Sequence, residues 1–123
     1  MLSPKLNAIR IQFEEALKRF EEILKKPQDD VIRDASIKRF EFTFDLAWKY
    51  LKVRLEDEKG IVSRSPKDCF RQAYSQKMIP YDDLWIEMTD LRNQAVHIYD
   101  RDFAENLYRR LPDVLPKFQE LLK

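Results

Sequence analysis

Glycine, cysteine and histidine each occur once in this 123-residue chain. A β-rich domain turns often and places glycine in its turns, so a single glycine argues for helices. One cysteine, Cys69, cannot close an internal disulfide and leaves a structural zinc site short of ligands. It reads as a small buried apolar side chain. No apolar run approaches the ~20 residues of a membrane span. Met1-Leu2-Ser3-Pro4-Lys5 offers no signal-peptide core, and the cytoplasm is the expected compartment. An excess of one charge is lacking too: 23 Lys and Arg against 22 Asp and Glu leave a net +1. A sequence-blind nucleic-acid binder carries a global basic footprint. Any RNA contact here has to be local, or assembled by dimerisation.

What the chain has is charge in quantity, 37% of residues, arranged at helical period. Ser3-Pro4 opens a first helix with a cap and a proline at its first position. Its stripe is Leu6, Ile9, Phe13, Ala16, Leu17, Phe20 and Leu24, and Pro27 stops it. A second helix runs from about Gln28-Asp29-Asp30 to Gly60. It carries two apolar faces: Ile37, Phe40, Phe44, Ala47, Leu51 and Leu55 on one, Ala35, Phe42, Leu46, Tyr50 and Val53 nearly opposite. Such a helix is sandwiched, either within the fold or between the core and another chain. Glu41, Asp45, Trp48 and Lys52 occupy a strip between the faces. Ser65-Pro66-Lys67-Asp68 opens a third helix that Pro80 ends. A fourth starts near Tyr81-Asp82. Asp102 with Glu105 resembles a capping box for the last segment, and Pro112 and Pro116 predict a kink or a break there. The expectation is an all-α, compact antiparallel bundle of about five helices in one domain, residues 1–123.

One segment suggests chemistry: Arg92-Asn93-Gln94-Ala95-Val96-His97-Ile98-Tyr99. Arginine binds phosphate bidentately. An imidazole moves protons near neutral pH. Together they are a minimal kit for RNA cleavage that needs neither metal nor cofactor. On a regular helix, however, residues five apart point about 140° from each other. Either the helix loosens near Val96, or His97 faces a groove completed by another chain. A plain structural reading stands beside the catalytic one, with Arg92 tying helices through a carboxylate and His97 at a helix end. Glu41 and Asp45, four apart, have a spacing that can hold a metal, or one of them orients Arg92 or His97. Lys49, Lys52 and Arg54 read as a mixed-charge surface, since Glu56, Asp57 and Glu58 follow. Trp48 and Trp85 are core anchors or base-stacking platforms.

The chain resembles the HEPN superfamily, in the nucleotidyltransferase substrate-binding branch that includes HepT-type toxins. The resemblance spans nearly the whole chain. It rests on Lys38-Arg39-Phe40-Glu41-Phe42-Thr43-Phe44-Asp45-Leu46-Ala47-Trp48-Lys49, on Ser65-Pro66-Lys67-Asp68, on Leu84-Trp85-Ile86-Glu87-Met88 and on Arg92-Asn93 with His97-Ile98-Tyr99-Asp100. It implies a helical homodimer that works with a minimal nucleotidyltransferase. It implies RNA as substrate, with Arg92 and His97 in metal-independent cleavage and Asn93 supporting them. Asp45 joins Asn93 as a supporting candidate. Tyr99 matches the tyrosine to which the partner enzyme transfers AMP to silence the toxin. The branch is also described as a non-catalytic substrate-binding subunit of the nucleotidyltransferase. It commonly carries a small hydroxyl residue directly before the histidine, where this chain has Val96. The second apolar face of the second helix, at Phe42, Leu46, Tyr50 and Val53, is one candidate for the dimer contact, and the sequence does not say which apolar face forms it.

Overall fold

The computed structural model describes residues 3–123; Met1 and Leu2, the start of the N-terminal stretch weighed above, lie outside the described residues. The helices are α1 (Pro4–Leu24), α2 (Asp30–Lys59), α3 (Pro66–Ser75), α4 (Leu84–Gln94) and α5 (Arg101–Glu120), with a short 3-10 turn at Ala95–His97. The first two run as a long antiparallel pair. Ser3 donates to Asp57 at one end, Thr43 to the Ala16 carbonyl in the middle, and Arg39 to the Arg19 carbonyl further on. Three N-caps follow the ordinary rule, with Ser3, Asp29 and Ser65 each accepting from a backbone N–H three residues on. At the end of α2, Gly60 takes a left-handed φ of 67° that suits a residue without a Cβ.

The core is aromatic and centred on α5. Phe118 packs against Phe13, Phe20, Phe40 and Trp85 with ring centroids 6.0–6.4 Å apart. The stripe of Ile37, Phe40, Phe44, Ala47, Leu51 and Leu55 is fully buried. The second face of α2 divides. Tyr50 and Val53 are buried within the protomer, while Phe42 is 42% exposed and Leu46 is half-buried. The candidate dimer face therefore shrinks to Phe42 and Leu46, because α1 covers the rest.

Three boundaries differ from expectation. Helix α3 ends at Ser75, not Pro80: Lys77 adopts φ 60°, and the Lys77 and Met78 N–H groups bond back to Tyr74 and Ala73. That is a Schellman stop made with lysine in place of glycine. Helix α4 starts at Leu84, whose N–H bonds to Asp82, later than Tyr81-Asp82. The cap of α5 is Asp100, accepting from the Phe103 N–H at 3.2 Å, not Asp102. Nor does the last segment break: Pro112 and Pro116 lie inside one helix. They are four apart on its exposed face. Their rings lie away from the core, while Leu107, Leu111, Val114 and Phe118 hold the other face to it.

Glu105, freed from capping, pairs with Arg33 at 3.1 Å. Arg33 is only 5% exposed and also reaches Asp34 and Asp30. The Arg33 hydrogen bond, with further help from Gln28, holds the Glu105 carboxyl below its ordinary 4.5. A carboxylate depressed in the folded state stabilises the fold above its unfolded value and loses that contribution as pH falls through the folded one. The melting temperature is expected to drop as pH falls below about 4.5. Glu105→Gln should flatten that slope in calorimetric scans across the acid range. An unchanged slope would mean that other carboxylates, such as Asp82 beside Lys117, carry the acid sensitivity.

Candidate functional site

Arg92 lies in the last turn of α4 and is held from α2. Its Nη2 donates to Asp45 Oδ1 at 2.7 Å, its Nη1 donates to Asn93 Oδ1 at 3.0 Å, and the guanidinium lies 5.8 Å from the Phe44 ring centroid. The two side chains of the ion pair are 34% and 38% exposed. An ion pair this open to solvent contributes about 1 kcal/mol or less to stability. What it does is aim the guanidinium. A carboxylate on one edge and an aromatic face beside it leave Arg92 few orientations.

The expected loosening near Val96 is instead a tightening. Ala95–His97 winds as a 3-10 turn, which advances about 120° per residue where an α-helix advances about 100°. Arg92 and His97 are then about 180° apart along the winding, more than on an unbroken helix. No hydrogen bond joins them among the described residues. The structure gathers Arg92, Asn93 and Asp45 into one cluster and His97 and Tyr99 into another.

His97 is exposed at the end of the turn. Its Nδ1 lies 3.5 Å from the Tyr99 hydroxyl. Its ring meets Tyr99 and Phe103 edge-on, both at 6.0 Å between centroids. The Asp100 N–H bonds to the His97 carbonyl and sharpens the turn into α5. Tyr99 is 84% exposed, so its hydroxyl is open to an incoming reagent, and Val96, directly before His97 in the chain, is 72% exposed.

The remaining candidates sort by their partners. Glu41 pairs with Lys38 and Asp45 with Arg92, and no group of three or more metal-type ligands forms among the described residues. Lys52 and Arg54 pair with Glu56 and Glu58 along α2. Trp85 is buried at 2% exposure and unavailable for stacking, whereas Trp48 is half-buried. Cys69 is fully buried, and desolvation pushes its thiol up to about 11. It stays protonated and unreactive at neutral pH. Sequence reading missed two neighbours of the site, Phe44 under Arg92 and Phe103 beside His97. Both carry only an apolar signal, indistinguishable from core.

A surface groove of about 410 Å³ runs beside the Arg92 cluster, between Gln12, Ala16 and Arg19 of α1 and Phe42, Asp45 and Leu46 of α2. Asp45 thus forms a wall of the groove and the anchor of Arg92 at once.

An all-helical bundle with an aimed arginine and an exposed helix-end histidine defines a class, and comparison with known proteins gives the family. Residues 10–123 match the family described as nucleotidyltransferase substrate binding protein like. Over 100 residues the chain is 31% identical to a Haemophilus influenzae protein named probable ribonuclease HepT, a stretch covering 78% of this chain and 68% of that protein. A crystal structure of a Thermus thermophilus protein is similar at TM-score 0.85 and 34% identity, covering 89% of this chain and 95% of that one. The chain belongs to the nucleotidyltransferase substrate-binding-like family, the HepT-like branch of the HEPN superfamily. No described helix is long and apolar enough to cross a membrane.

Proposed function

We propose that this protein is a HEPN-type endoribonuclease that works as a homodimer without metal and is restrained by a minimal nucleotidyltransferase. The observation that carries the reading is a half-exposed Arg92 aimed by Asp45 in the same surface segment as the chain's one imidazole, itself exposed. The name of the Haemophilus influenzae relative supports it.

In this reading His97 takes the proton of a ribose 2′-hydroxyl. The 2′-oxygen attacks the adjacent phosphorus, and Arg92 holds the negative charge that builds on the phosphoryl oxygens. The bond to the 5′-oxygen breaks, leaving a 2′,3′-cyclic phosphate and a 5′-hydroxyl that picks up a proton. Because Arg92 and His97 of one chain diverge, a second protomer completes the groove. The accessible patch of Phe42 and Leu46 next to Asp45 supplies the contact. Pairing two chains also doubles the local positive charge that the near-neutral monomer lacks. The direct test uses protein purified without its partner, in chelator, on end-labelled RNA. Cleavage to cyclic-phosphate ends is expected, and intact RNA at all enzyme concentrations sinks the reading.

Restraint acts through Tyr99. Transfer of AMP from ATP to its hydroxyl forms a phosphodiester at the phenol oxygen and releases pyrophosphate. The added nucleotide crowds His97 and sets a negative phosphate where the RNA phosphate has to bind. Protein co-expressed with its nucleotidyltransferase is expected to gain the mass of one or more AMP groups and to lose cleavage activity. Tyr99→Phe should show neither change. Full modification of the Tyr99→Phe variant would move the acceptor elsewhere.

The family description itself supports a second reading, a non-catalytic subunit that presents substrate to the nucleotidyltransferase with Arg92 as phosphate anchor. There, Arg92→Ala lowers the partner's transferase rate and RNA stays intact with either protein.

A further inference from the structure

Beyond the Arg92 cluster, the space between α1 and α2 continues toward the start of α1. A second groove, of about 440 Å³, is lined by Lys5 and Ile9 of α1 and by Trp48, Lys49, Lys52 and Val53 of α2. Gln12 lines both grooves, so the two are neighbours along α1. They differ in charge. Around the first, Glu15 and Asp45 oppose Arg19. Around the second, every charged lining residue is a lysine. Lys52 pairs with Glu56 at 3.3 Å, both side chains about one third open to solvent, a partly screened pair that an incoming phosphate can share. Lys5 and Lys49 have no carboxylate within ion-pair distance among the described residues. In a chain with net charge +1, three lysines around one half-buried tryptophan are a local concentration of cations.

We propose that this groove is a subsite for single-stranded RNA, with a base against Trp48 and flanking phosphates on Lys5, Lys49 and Lys52. An aromatic face with cations beside it accepts any base, since every base offers a π-face and every linkage a phosphate. Position ties the groove to the chemistry. Asp45, Trp48 and Lys52 are spaced three and four apart on one strip of α2, and Lys49, four residues after Asp45, flanks it. Lys49 lies about 6 Å and Lys52 about 10 Å along the helix axis from the carboxylate that holds Arg92. A strand whose scissile phosphate sits on Arg92 thus reaches the groove with a neighbouring nucleotide. The inference rests on the RNA-cleaving reading of the Arg92 site, and it adds the strandedness of the substrate and the track along which it lies.

The test is a fluorescence titration of the full chain with a short 2′-O-methyl single-stranded oligonucleotide, which binds but cannot be cut. Trp48 is the accessible one of two tryptophans, so stacking should quench the emission and Trp48→Phe should remove the quench. Lys49→Glu, at an exposed position that does not threaten folding, should weaken binding about tenfold. It should also reduce the slope of log affinity against log salt by about 0.7 for each phosphate no longer held. Absence of binding, or affinity and quench unchanged in both groove variants, overturns the proposal. So does a Lys49→Glu chain that turns from dimer to monomer in sedimentation, because the groove is then covered by a second copy. Binding with quench but no cleavage of ordinary RNA leaves the groove standing and removes the nuclease. Cleavage with no effect of the groove variants does the reverse.

Discussion

Replacing His97 by Ala is expected to lower metal-independent RNA cleavage by about 10²–10⁴-fold, the usual contribution of a positioned general base. Arg92→Ala should cost about 10²–10³-fold, as losses of a charge-stabilising donor do. Arg92→Lys should recover little. A lysine brings the charge but not the planar fork that bonds Asp45, Asn93 and an incoming phosphate from different edges. On the proposed mechanism the two groups serve one transition state, so the double variant should be barely worse than the poorer single one. Asp45→Asn keeps the shape and removes the charge that aims the guanidinium, and a smaller loss of about tenfold is expected from that misplacement. Initial rates on end-labelled RNA in chelator check all of these. Unfolding midpoints should barely move, since His97 is exposed and the Arg92–Asp45 pair is open to solvent. Equal rates in native protein and both alanine variants would remove Arg92 and His97 from catalysis.

Much of the architecture was legible because helices announce themselves twice. The 3.6-residue apolar period marks their length, and Ser3, Asp29, Ser65 and Gly60 mark their ends with the side chains that end geometry demands. Reading failed where a local rule had a rival. Glu105 fits a capping box with Asp102, yet it has a buried arginine 72 positions away to satisfy, and that demand prevails. Nothing in local spacing announces Arg33. Lys77 holds a conformation that glycine signals and lysine does not. Proline removes a helix hydrogen bond wherever it sits, but Pro112 and Pro116 both lie on the exposed face, where their rings leave the core contacts of α5 intact, and only the packed fold reveals that.

The site was legible as a set of residues and not as an arrangement. Arg92, Asn93, His97 and Tyr99 are local in sequence; residue chemistry singled out Arg92 and His97, and the family resemblance added Asn93 and Tyr99. The partner of Arg92 comes from another helix. Asp45 was one of two carboxylates on its strip, and only packing separates it from Glu41. The 3-10 turn was the hardest feature, because its sign was wrong: low helix propensity at Val96, Ile98 and Tyr99 suggested unwinding, whereas the approach of Asp100 to the His97 carbonyl draws the chain tighter. That tightening strengthens the geometric case for a groove made by two chains.

The two most informative phenylalanines make opposite predictions. Phe118 touches rings from α1, α2 and α4 at once and is fully buried. Phe118→Ala is expected to cost about 3–5 kcal/mol, the transfer loss plus a cavity that rigid aromatic neighbours cannot close. For a chain of this size that is a fall of about 10–20 °C in melting temperature. Phe42 is 42% exposed and loses little by truncation within one protomer. Phe42→Ala should leave the fold intact and weaken self-association, read as a concentration-dependent mass in sedimentation. Chemical denaturation of both variants separates the roles. A Phe118→Ala loss under about 1 kcal/mol would mean that the core re-closes around the gap. The effect on cleavage also differs in kind from that of His97→Ala. Helix α5 carries Phe118 at one end and Phe103, against His97, at the other. Loosening its packing should reduce activity only in proportion to the folded fraction. Cooling should therefore restore cleavage to Phe118→Ala, and no temperature should restore it to His97→Ala.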